Sequence, residues 1–326
     1  MREPEFWSRN SAGARWTAAL LAPLGLVHGA SVAWKYRLRR SYCARVPVIC
    51  VGNLTVGGAG KTPLAIAIAR MLQDKGVSPV FLSRGYGRKT SDAVMVDTKS
   101  HDASRVGDEA LLLACVAPTV VATDRAKGAR IAEAEGAEAI IMDDGHQNFS
   151  LEKRLSLLVV DGETGLGNGK VFPAGPLREP ARQGLRRADA VIVMGDGDPH
   201  LPDFHGPLFR ARLSPERHLD GTLVAAFAGI GRPQKFFTTL REAGAALAMS
   251  RAYPDHHTYT PAEIAQLKDR AAQMHAALIT TEKDFVRLDP RARERIEVLA
   301  VRAVFEDEAA LRRLFPPFYP KAAAVR

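Results

Sequence analysis

A glycine-rich loop between a strand-like run and a helical stretch carries the clearest chemistry in this sequence. Residues 46–51 (VPVICV) are apolar and β-rich, and the loop at 52–62 (GNLTVGGAGKT) follows them directly. Glycines let successive backbone N–H groups turn toward phosphate oxygens, and the positive N-terminus of the next helix adds to the attraction. The pattern predicts a P-loop in which Lys61 reaches the β- and γ-phosphates and the Thr62 hydroxyl binds Mg²⁺.

One position departs from the general P-loop pattern, and a second glycine-rich stretch imitates it. The pattern asks for glycine five residues before Gly60, where this chain has Thr55. A similar run at 164–170 (TGLGNGK) is followed by Val171, so it lacks the hydroxyl that would bind the metal. We interpret that second stretch as an ordinary loop.

Two adjacent carboxylates end another apolar run. Asp143 and Asp144 follow residues 139–142 (AIIM), and in P-loop proteins an aspartate at such a strand end holds Mg²⁺. Consecutive residues of a strand point to opposite faces, so we expect the two carboxylates to differ in their duties. The alternative for an Asp-Asp-Gly sequence is a plain turn.

Two further groups have open interpretations. Asp108 opens a helical stretch, where a lone aspartate is most often a cap of the helix N-terminus. Residues 254–257 (PDHH) could bind a metal, serve as an acid or base, or simply be exposed. A structural zinc site is not expected, because no second cluster of cysteine and histidine accompanies them.

Alternating strand and helix patterns surround these residues. Apolar runs at 79–83, 119–122, 139–142, 155–160 and 190–194 alternate with helical stretches such as 63–75, 108–115 and 125–135. This alternation predicts an α/β fold, a P-loop NTPase-like core whose parallel sheet is covered on both faces. A second set begins at 223–228 and continues through helices at 235–243 and 261–275 and strands at 277–280 and 297–300. We therefore expect an ATP-binding domain at 46–220 and a smaller α/β domain at 221–326.

The N-terminus is basic and apolar. Of the net charge of +9, residues 1–45 carry +6, from eight basic and two acidic residues. They flank an apolar segment at 16–34 with tryptophan at both ends, which favours a helix at a membrane interface over a clean transmembrane span. The alternative is an ordinary helix docked on the core. Charge concentrated at one end argues against nucleic-acid binding, and three cysteines without CxxC spacing indicate a reducing compartment.

Seven motifs, taken together and in order, resemble one family. They are VGNLTVGGAGKTP, FLSRGYGR, GDEA, DDGHQ, FPAGPLREP, PDHH and TTEKD, spread over residues 51–284. With the basic, tryptophan-edged N-terminus, the chain is similar to the tetraacyldisaccharide 4'-kinases of lipid A biosynthesis. The resemblance implies an ATP- and Mg²⁺-dependent lipid-sugar kinase. Such an enzyme phosphorylates the 4'-hydroxyl of an acylated glucosamine disaccharide 1-phosphate at the cytoplasmic face of the bacterial inner membrane. No obligate protein partner is evident from the sequence.

The resemblance also implies roles for residues. Asp108 becomes the catalytic base beside Lys61, with His256 orienting or tuning it, and Asp143 and Asp144 accompany Mg²⁺ together with Thr62. The implied nucleotide contacts are Thr55, Val56, Gly57, Gly58, Ala59, Gly60, Lys61, Thr62 and, in a second tier, Arg84, Arg178 and Glu179. Asn148 departs from the family, which more often has histidine there. A membrane-associated P-loop ATPase switch or motor subunit, or a soluble small-molecule kinase, are the rival interpretations, although no LSGGQ-like motor signature is present.

Overall fold

Thirteen strands form two sheets in a computed structural model that describes residues 4–7, 11–88 and 91–315. The strands are β1 (Val48–Asn53), β2 (Pro79–Ser83), β3 (Val94–Met95), β4 (Thr119–Val121), β5 (Ala139–Asp143), β6 (Leu155–Asp161), β7 (Ala190–Met194), β8 (Leu208–Pro215), β9 (Leu223–Ala228), β10 (Ala246–Ala252), β11 (Ala277–Thr281), β12 (Glu297–Leu299) and β13 (Val301–Phe305). The helices are α1 (Ala12–Arg37), α2 (Lys61–Gln73), α3 (Ala103–Val106), α4 (Asp108–Ala114), α5 (Arg125–Ala134), α6 (Ala181–Leu185), α7 (Pro233–Glu242), α8 (Pro261–Gln273), α9 (Glu282–Phe285) and α10 (Glu308–Arg313).

The larger sheet has nine strands in the order β13-β8-β7-β6-β1-β5-β2-β4-β3. Its seven inner strands run parallel, and β3 and β13 pair antiparallel at the two edges. Strand β1 is buried along its whole length, as expected for the centre of a sheet covered on both faces. Helices α2, α4 and α10 pack on one face, and α5 packs on the other. The predicted α/β class with a parallel P-loop core is confirmed.

The smaller sheet has four parallel strands in the order β10-β9-β11-β12. Phenylalanines of α7 pack against one face, and Ile264 and Leu267 of α8 pack against the other. A second α/β unit is therefore present. The chain then returns, because β13 pairs with β8 in the larger sheet. The exact limits of the domains, 46–220 and 221–326, stay a prediction, and the second includes residues 316–326, which lie outside the described ranges.

The N-terminal helix α1 contains 26 residues, about 39 Å at 1.5 Å per residue. It begins with Ser11, whose side chain accepts a hydrogen bond from the Ala14 N–H. Its buried residues are Ala14, Ala18, Gly25 and Gly29, which share one face at helical spacing. Of the charges counted in segment 1–45, Arg2, Glu3 and Arg9 lie outside the described residues.

Candidate active site

The phosphate loop lies at the carboxyl end of β1, between this strand and α2. Gly60 precedes Lys61, the first residue of α2, with φ of 85°, a left-handed conformation that glycine adopts without strain. The Val56 N–H donates to the Pro176 carbonyl at 2.8 Å, and the Arg178 N–H donates to the Leu54 carbonyl at 2.7 Å. Residues 176–178 therefore hold the first half of the loop.

Thr55 has a structural reason to replace glycine. Its backbone forms an antiparallel bridge with Leu177, an extended conformation that suits a β-branched residue. The Arg178 Nε donates to the Thr55 carbonyl at 3.1 Å and fixes it further. Glycine's conformational freedom is not needed at this position, so the departure from the general pattern leaves the loop intact.

The two adjacent aspartates make different contacts. Asp143 is 2% exposed and its Oδ2 accepts a hydrogen bond from the Thr62 hydroxyl at 3.2 Å. Its Oδ1 is buried and has no hydrogen-bond partner within the described part of the chain. Asp144 accepts two hydrogen bonds from Arg178 Nη1, at 2.8 and 3.0 Å, and lies 3.7 Å from the Lys61 ammonium. One carboxylate thus faces the Thr62 hydroxyl, and the other neutralises two cations.

Their pKa values are displaced in opposite directions. Burial first, and then the negative charges of Glu109 and Asp144, raise the pKa of Asp143 to about 7. Burial also opposes ionisation of Asp144, but the positive charges of Lys61 and Arg178 outweigh it and lower the pKa of that carboxyl. An unpaired, buried carboxylate oxygen on a residue that also contacts a threonine hydroxyl is a donor set that fits a divalent cation.

Asp108 and His256 lie in contact, although they come from different units. Asp108 is the first residue of α4 and is 4% exposed, with Gly107 in the capping position before it. Asp108 Oδ1 accepts from the N–H of Glu109 at 2.9 Å, while Oδ2 lies 3.1 Å from His256 Nδ1. Oδ2 also accepts from Arg287 Nε at 2.8 Å. One carboxylate oxygen of Asp108 therefore accepts a hydrogen bond from its own helix, and the other contacts residues of the second unit.

The electrostatics keep Asp108 ionised. Burial would raise its pKa, but the hydrogen bond from His256 and the positive charges of Lys283 and Arg287 lower the pKa of Asp108 well below its usual range. His256 has φ of 58°, in the left-handed region that favours glycine. Its ring lies 5.6 Å from that of Tyr86, in the FLSRGYGR stretch. The histidine is held in an unfavourable backbone conformation at the point where the units meet.

Glu179 occupies a more enclosed position than a nucleotide contact requires. It is 0% exposed, and both carboxylate oxygens accept from Arg187 Nη2, at 2.7 and 2.6 Å. Gln147 donates to the same carboxylate at 2.9 Å and also to the Asn53 carbonyl at 2.9 Å. Glu179 thus stabilises the end of β1 indirectly, through Gln147. Its assignment to nucleotide binding stays a prediction.

The two remaining residues of interest lie at the edge of the site. Arg84 is exposed. Burial lowers the pKa of the Arg125 guanidinium, and the nearby positive charge of Arg84 lowers it further. Asn148 Oδ1 accepts from the backbone and the hydroxyl of Ser150, at 3.2 and 3.0 Å. The amide of Asn148 stabilises its own turn, which is a local duty that histidine in that position would not perform in the same way.

Sequence reasoning missed Glu109, Lys283 and Arg287. Lys283 Nζ lies 2.8 Å from Glu109 Oε1 and so adds a second ion pair between the units beside that of Asp108 and Arg287. Glu109 and Lys283 fall inside the GDEA and TTEKD motifs, which was the available signal. Arg287 lies three residues beyond the last motif, where nothing local distinguishes it.

Helix α1 presents large apolar side chains away from the protein. By length and composition it could cross a membrane. The exposed large residues are Trp16, Leu20, Leu24, Leu26, Val27 and Trp34, between 59% and 80% exposed. Most of them lie opposite the buried small residues, and a Cβ on Gly25 would come within 2.7 Å of the Val171 carbonyl oxygen. The helix therefore packs closely on the protein through the face with alanine and glycine, and it exposes the face with large apolar side chains.

Comparison with known proteins identifies the family. The sequence profile of LpxK, described as tetraacyldisaccharide-1-P 4'-kinase, matches residues 17–316. The chain belongs to the tetraacyldisaccharide-1-P 4'-kinase family. A tetraacyldisaccharide 4'-kinase of Methylorubrum extorquens is 49% identical over 99% of this chain and 100% of its own length. The protein of that name from Paramagnetospirillum magneticum is 51% identical over 97% of this chain and 98% of its own length.

A solved member of the tetraacyldisaccharide-1-P 4'-kinase family has the same fold. The crystal structure of LpxK from Aquifex aeolicus, described as an "apo" form in complex with ATP, superposes with a TM-score of 0.74. It is 27% identical and covers 91% of this chain and 98% of its own. The family resemblance expected from the seven motifs is confirmed, and so are the fold and the kinase class.

Proposed function

We propose that this chain transfers the γ-phosphate of ATP to the 4'-hydroxyl of a tetraacylated glucosamine disaccharide 1-phosphate, a lipid A precursor. Family membership over residues 17–316 supports this function. The observation that carries it is the meeting of a phosphate loop with a second unit that brings His256 to Asp108, at 3.1 Å. An ATPase switch or motor subunit is disfavoured by the family to which the chain belongs.

The residues fit Mg·ATP. Thr55 to Thr62 provide loop amides and a hydroxyl, and Lys61 supplies a charge for the β- and γ-phosphates. Asp143 and Thr62 would hold Mg²⁺, because the buried Oδ1 of Asp143 has no partner among the described residues. Asp144 accompanies the pair by fixing Lys61 and Arg178. When bound, the ion supplies positive charge to the phosphate oxygens.

The reaction forms a bond between the sugar oxygen and the γ-phosphorus and breaks the bond to the β-phosphate oxygen, releasing ADP. Lys61 and the loop amides balance charge on the phosphate oxygens. Asp108 accepts a hydrogen bond from the attacking hydroxyl and receives its proton as the phosphorus–oxygen bond forms, while His256 orients the carboxylate. A weakly basic carboxylate suffices, because phosphoryl transfer has a loose transition state that needs positioning more than prior deprotonation.

The N-terminal helix is compatible with membrane association. We assign its exposed apolar face to the cytoplasmic side of the bacterial inner membrane, where the acyl chains of the substrate stay in the bilayer and the headgroup enters the cleft. The exposed tryptophans at 16 and 34 are residues typical of membrane interfaces, and Lys35 and Arg37 in the last turn suit anionic lipid.

The test is a transfer assay with γ-labelled ATP and a tetraacylated disaccharide 1-phosphate in mixed micelles. We expect label in the lipid with the wild-type protein and almost none with Asp108→Ala. An ATPase switch would release labelled phosphate and leave the lipid unlabelled, which would overturn the proposed function.

A further inference from the structure

Arg287 links the two units through a nearly enclosed guanidinium. Its side chain is 6% exposed and follows α9 in the smaller unit. On its own side, Nη1 donates to the Gly229 carbonyl at 2.8 Å and to Asp284 Oδ1 at 3.0 Å. On the other side, Nε donates to Asp108 Oδ2 at 2.8 Å, and Nη2 donates to the same oxygen. One planar group thus serves two carboxylates that belong to different units.

Asp284 anchors this guanidinium. It is 0% exposed, and the Gly229 N–H donates to its two oxygens at 3.0 and 3.1 Å. The Tyr259 hydroxyl donates to Oδ1 at 2.9 Å, and the Thr281 hydroxyl donates to Oδ2 at 2.7 Å. A carboxylate with this many donors has a single orientation, so Arg287 has little freedom to move.

The third contact of Arg287 is with the histidine. Nη2 lies 3.3 Å from His256 Nδ1, which itself lies 3.1 Å from Asp108 Oδ2. Arg287 therefore contacts both members of the pair to which the proposed function assigns proton transfer. Within the described ranges neither Asp108 nor His256 forms a hydrogen bond with Asp284, so the guanidinium connects the buried anchor to both of them.

We propose that Arg287 is a positioning residue for phosphoryl transfer, which fixes the Asp108 carboxylate against His256 when the smaller unit lies on the larger one. This inference rests on the proposed function. Arginine suits the duty because its rigid fork can hold two oxygens in one plane, whereas lysine offers only a point charge. Misplacing a catalytic group by about 1 Å can cost about 10²-fold in rate. Fixing Asp108 is therefore worth a factor of that order.

A purely structural ion pair predicts something different. If Arg287 only joined the units, its loss would lower stability, and the folded fraction of the variant would keep its kcat. If it positions Asp108, its loss removes part of what Asp108 contributes. The losses of Arg287 and Asp108 must then overlap rather than multiply, since both act on one group.

The experiment compares Arg287→Ala, Arg287→Lys, Asp108→Ala and the double variant Asp108→Ala/Arg287→Ala in the transfer assay, with ATP affinity and Tm measured on the same samples. Arg293→Ala is the matched control, because Arg293 donates to the Leu288 and Val286 carbonyls of the same segment. We expect Arg287→Ala to lower kcat about 10²-fold, with ATP affinity little changed. We expect Arg287→Lys to recover part of the loss and the double variant to equal Asp108→Ala.

Normal kcat in folded Arg287→Ala, or multiplied losses in the double variant, would overturn the inference. If Arg287→Ala does not fold, the kcat of Arg287→Lys tests the inference instead. A normal kcat in that variant would mean that the planar guanidinium of Arg287 does not position Asp108. A wild-type protein that transfers no label to the lipid would instead refute the proposed function, so the two failures are separate.

Discussion

His146 provides a test of the electrostatics near the end of strand β5, where the proposed Mg²⁺ ligand Asp143 lies. Its ring is 1% exposed, with Nδ1 3.2 Å from the Ser156 hydroxyl and Nε2 3.0 Å from the Gly184 carbonyl. Burial, followed by the charges of Arg187 and Lys153, lowers the pKa of His146 to about 3, and the hydrogen bond to the Gly184 carbonyl only partly opposes this. An exposed histidine has a pKa of about 6.5. The folded protein therefore resists a proton that the unfolded chain accepts.

The sign and size of the effect follow from this gap. The stability that neutral His146 provides is complete above pH of about 6.5 and is lost as the pH falls toward about 3, the folded value. The full loss is about 5 kcal/mol, of which about 2 kcal/mol falls between pH 7 and pH 5. Asp143, whose pKa is raised to about 7, protonates in the same range with the opposite sign. The wild-type curve alone therefore does not isolate the histidine.

The assay is urea unfolding of wild type and His146→Asn in metal-free buffer at pH 7, 6 and 5. Between pH 7 and 5, we expect the variant to lose about 2 kcal/mol less than the wild type, whatever its stability at pH 7. His205→Asn, at an exposed position, is the control for the substitution itself. Parallel pH dependence of wild type and His146→Asn would refute the assignment of a neutral, buried imidazole.

Three further predictions concern activity and the membrane. Lys61→Ala should nearly abolish transfer without changing the fold, because it removes the positive charge that contacts the β- and γ-phosphates. Wild-type turnover of this variant at saturating Mg·ATP would contradict the P-loop as the catalytic site. Asp108→Ala and His256→Ala should each lower kcat by about 10²–10⁴-fold, and the double variant should be little worse than the poorer single one; kinetics and melting temperature check this. The double variant Trp16→Asn/Leu20→Asn changes two side chains that are 78% and 80% exposed, and it should sediment less with anionic vesicles while its Tm stays unchanged. Undiminished vesicle binding would show that this helix face is not the membrane contact.

The inner strands were predictable because strands that are buried on both faces have continuous apolar sequences. Runs at 79–83, 190–194 and 223–228 are continuous and apolar, and the structure has strands with those limits. Strand β10 was not predicted, because it lies at the edge of its sheet and every second residue is exposed. Strand β13 follows β12 after one residue but joins the other sheet. No local pattern encodes such a change of partner.

The candidate site was predictable in the same uneven way. The phosphate loop and the strand end with Asp143 are local, so residue type and spacing were enough to predict them. Asp108 taken alone predicted a helix cap, and the family resemblance was needed to join it to His256. Arg287 is 179 residues from Asp108 and has no motif of its own. Its contact is a product of tertiary packing, which sequence spacing does not reveal.

One segment connects helix α1 to the phosphate loop. Residues 171–180 contact α1, since a Cβ on Gly25 would meet the Val171 carbonyl and one on Gly29 would lie 3.3 Å from Pro180. The same segment holds the phosphate loop, through the Pro176 carbonyl and through the guanidinium of Arg178. The phosphate loop and the helix with the exposed apolar face therefore share one support. In the proposed function the acceptor stays anchored in a bilayer, and this shared support would keep the phosphate loop in a fixed relation to the exposed face of α1.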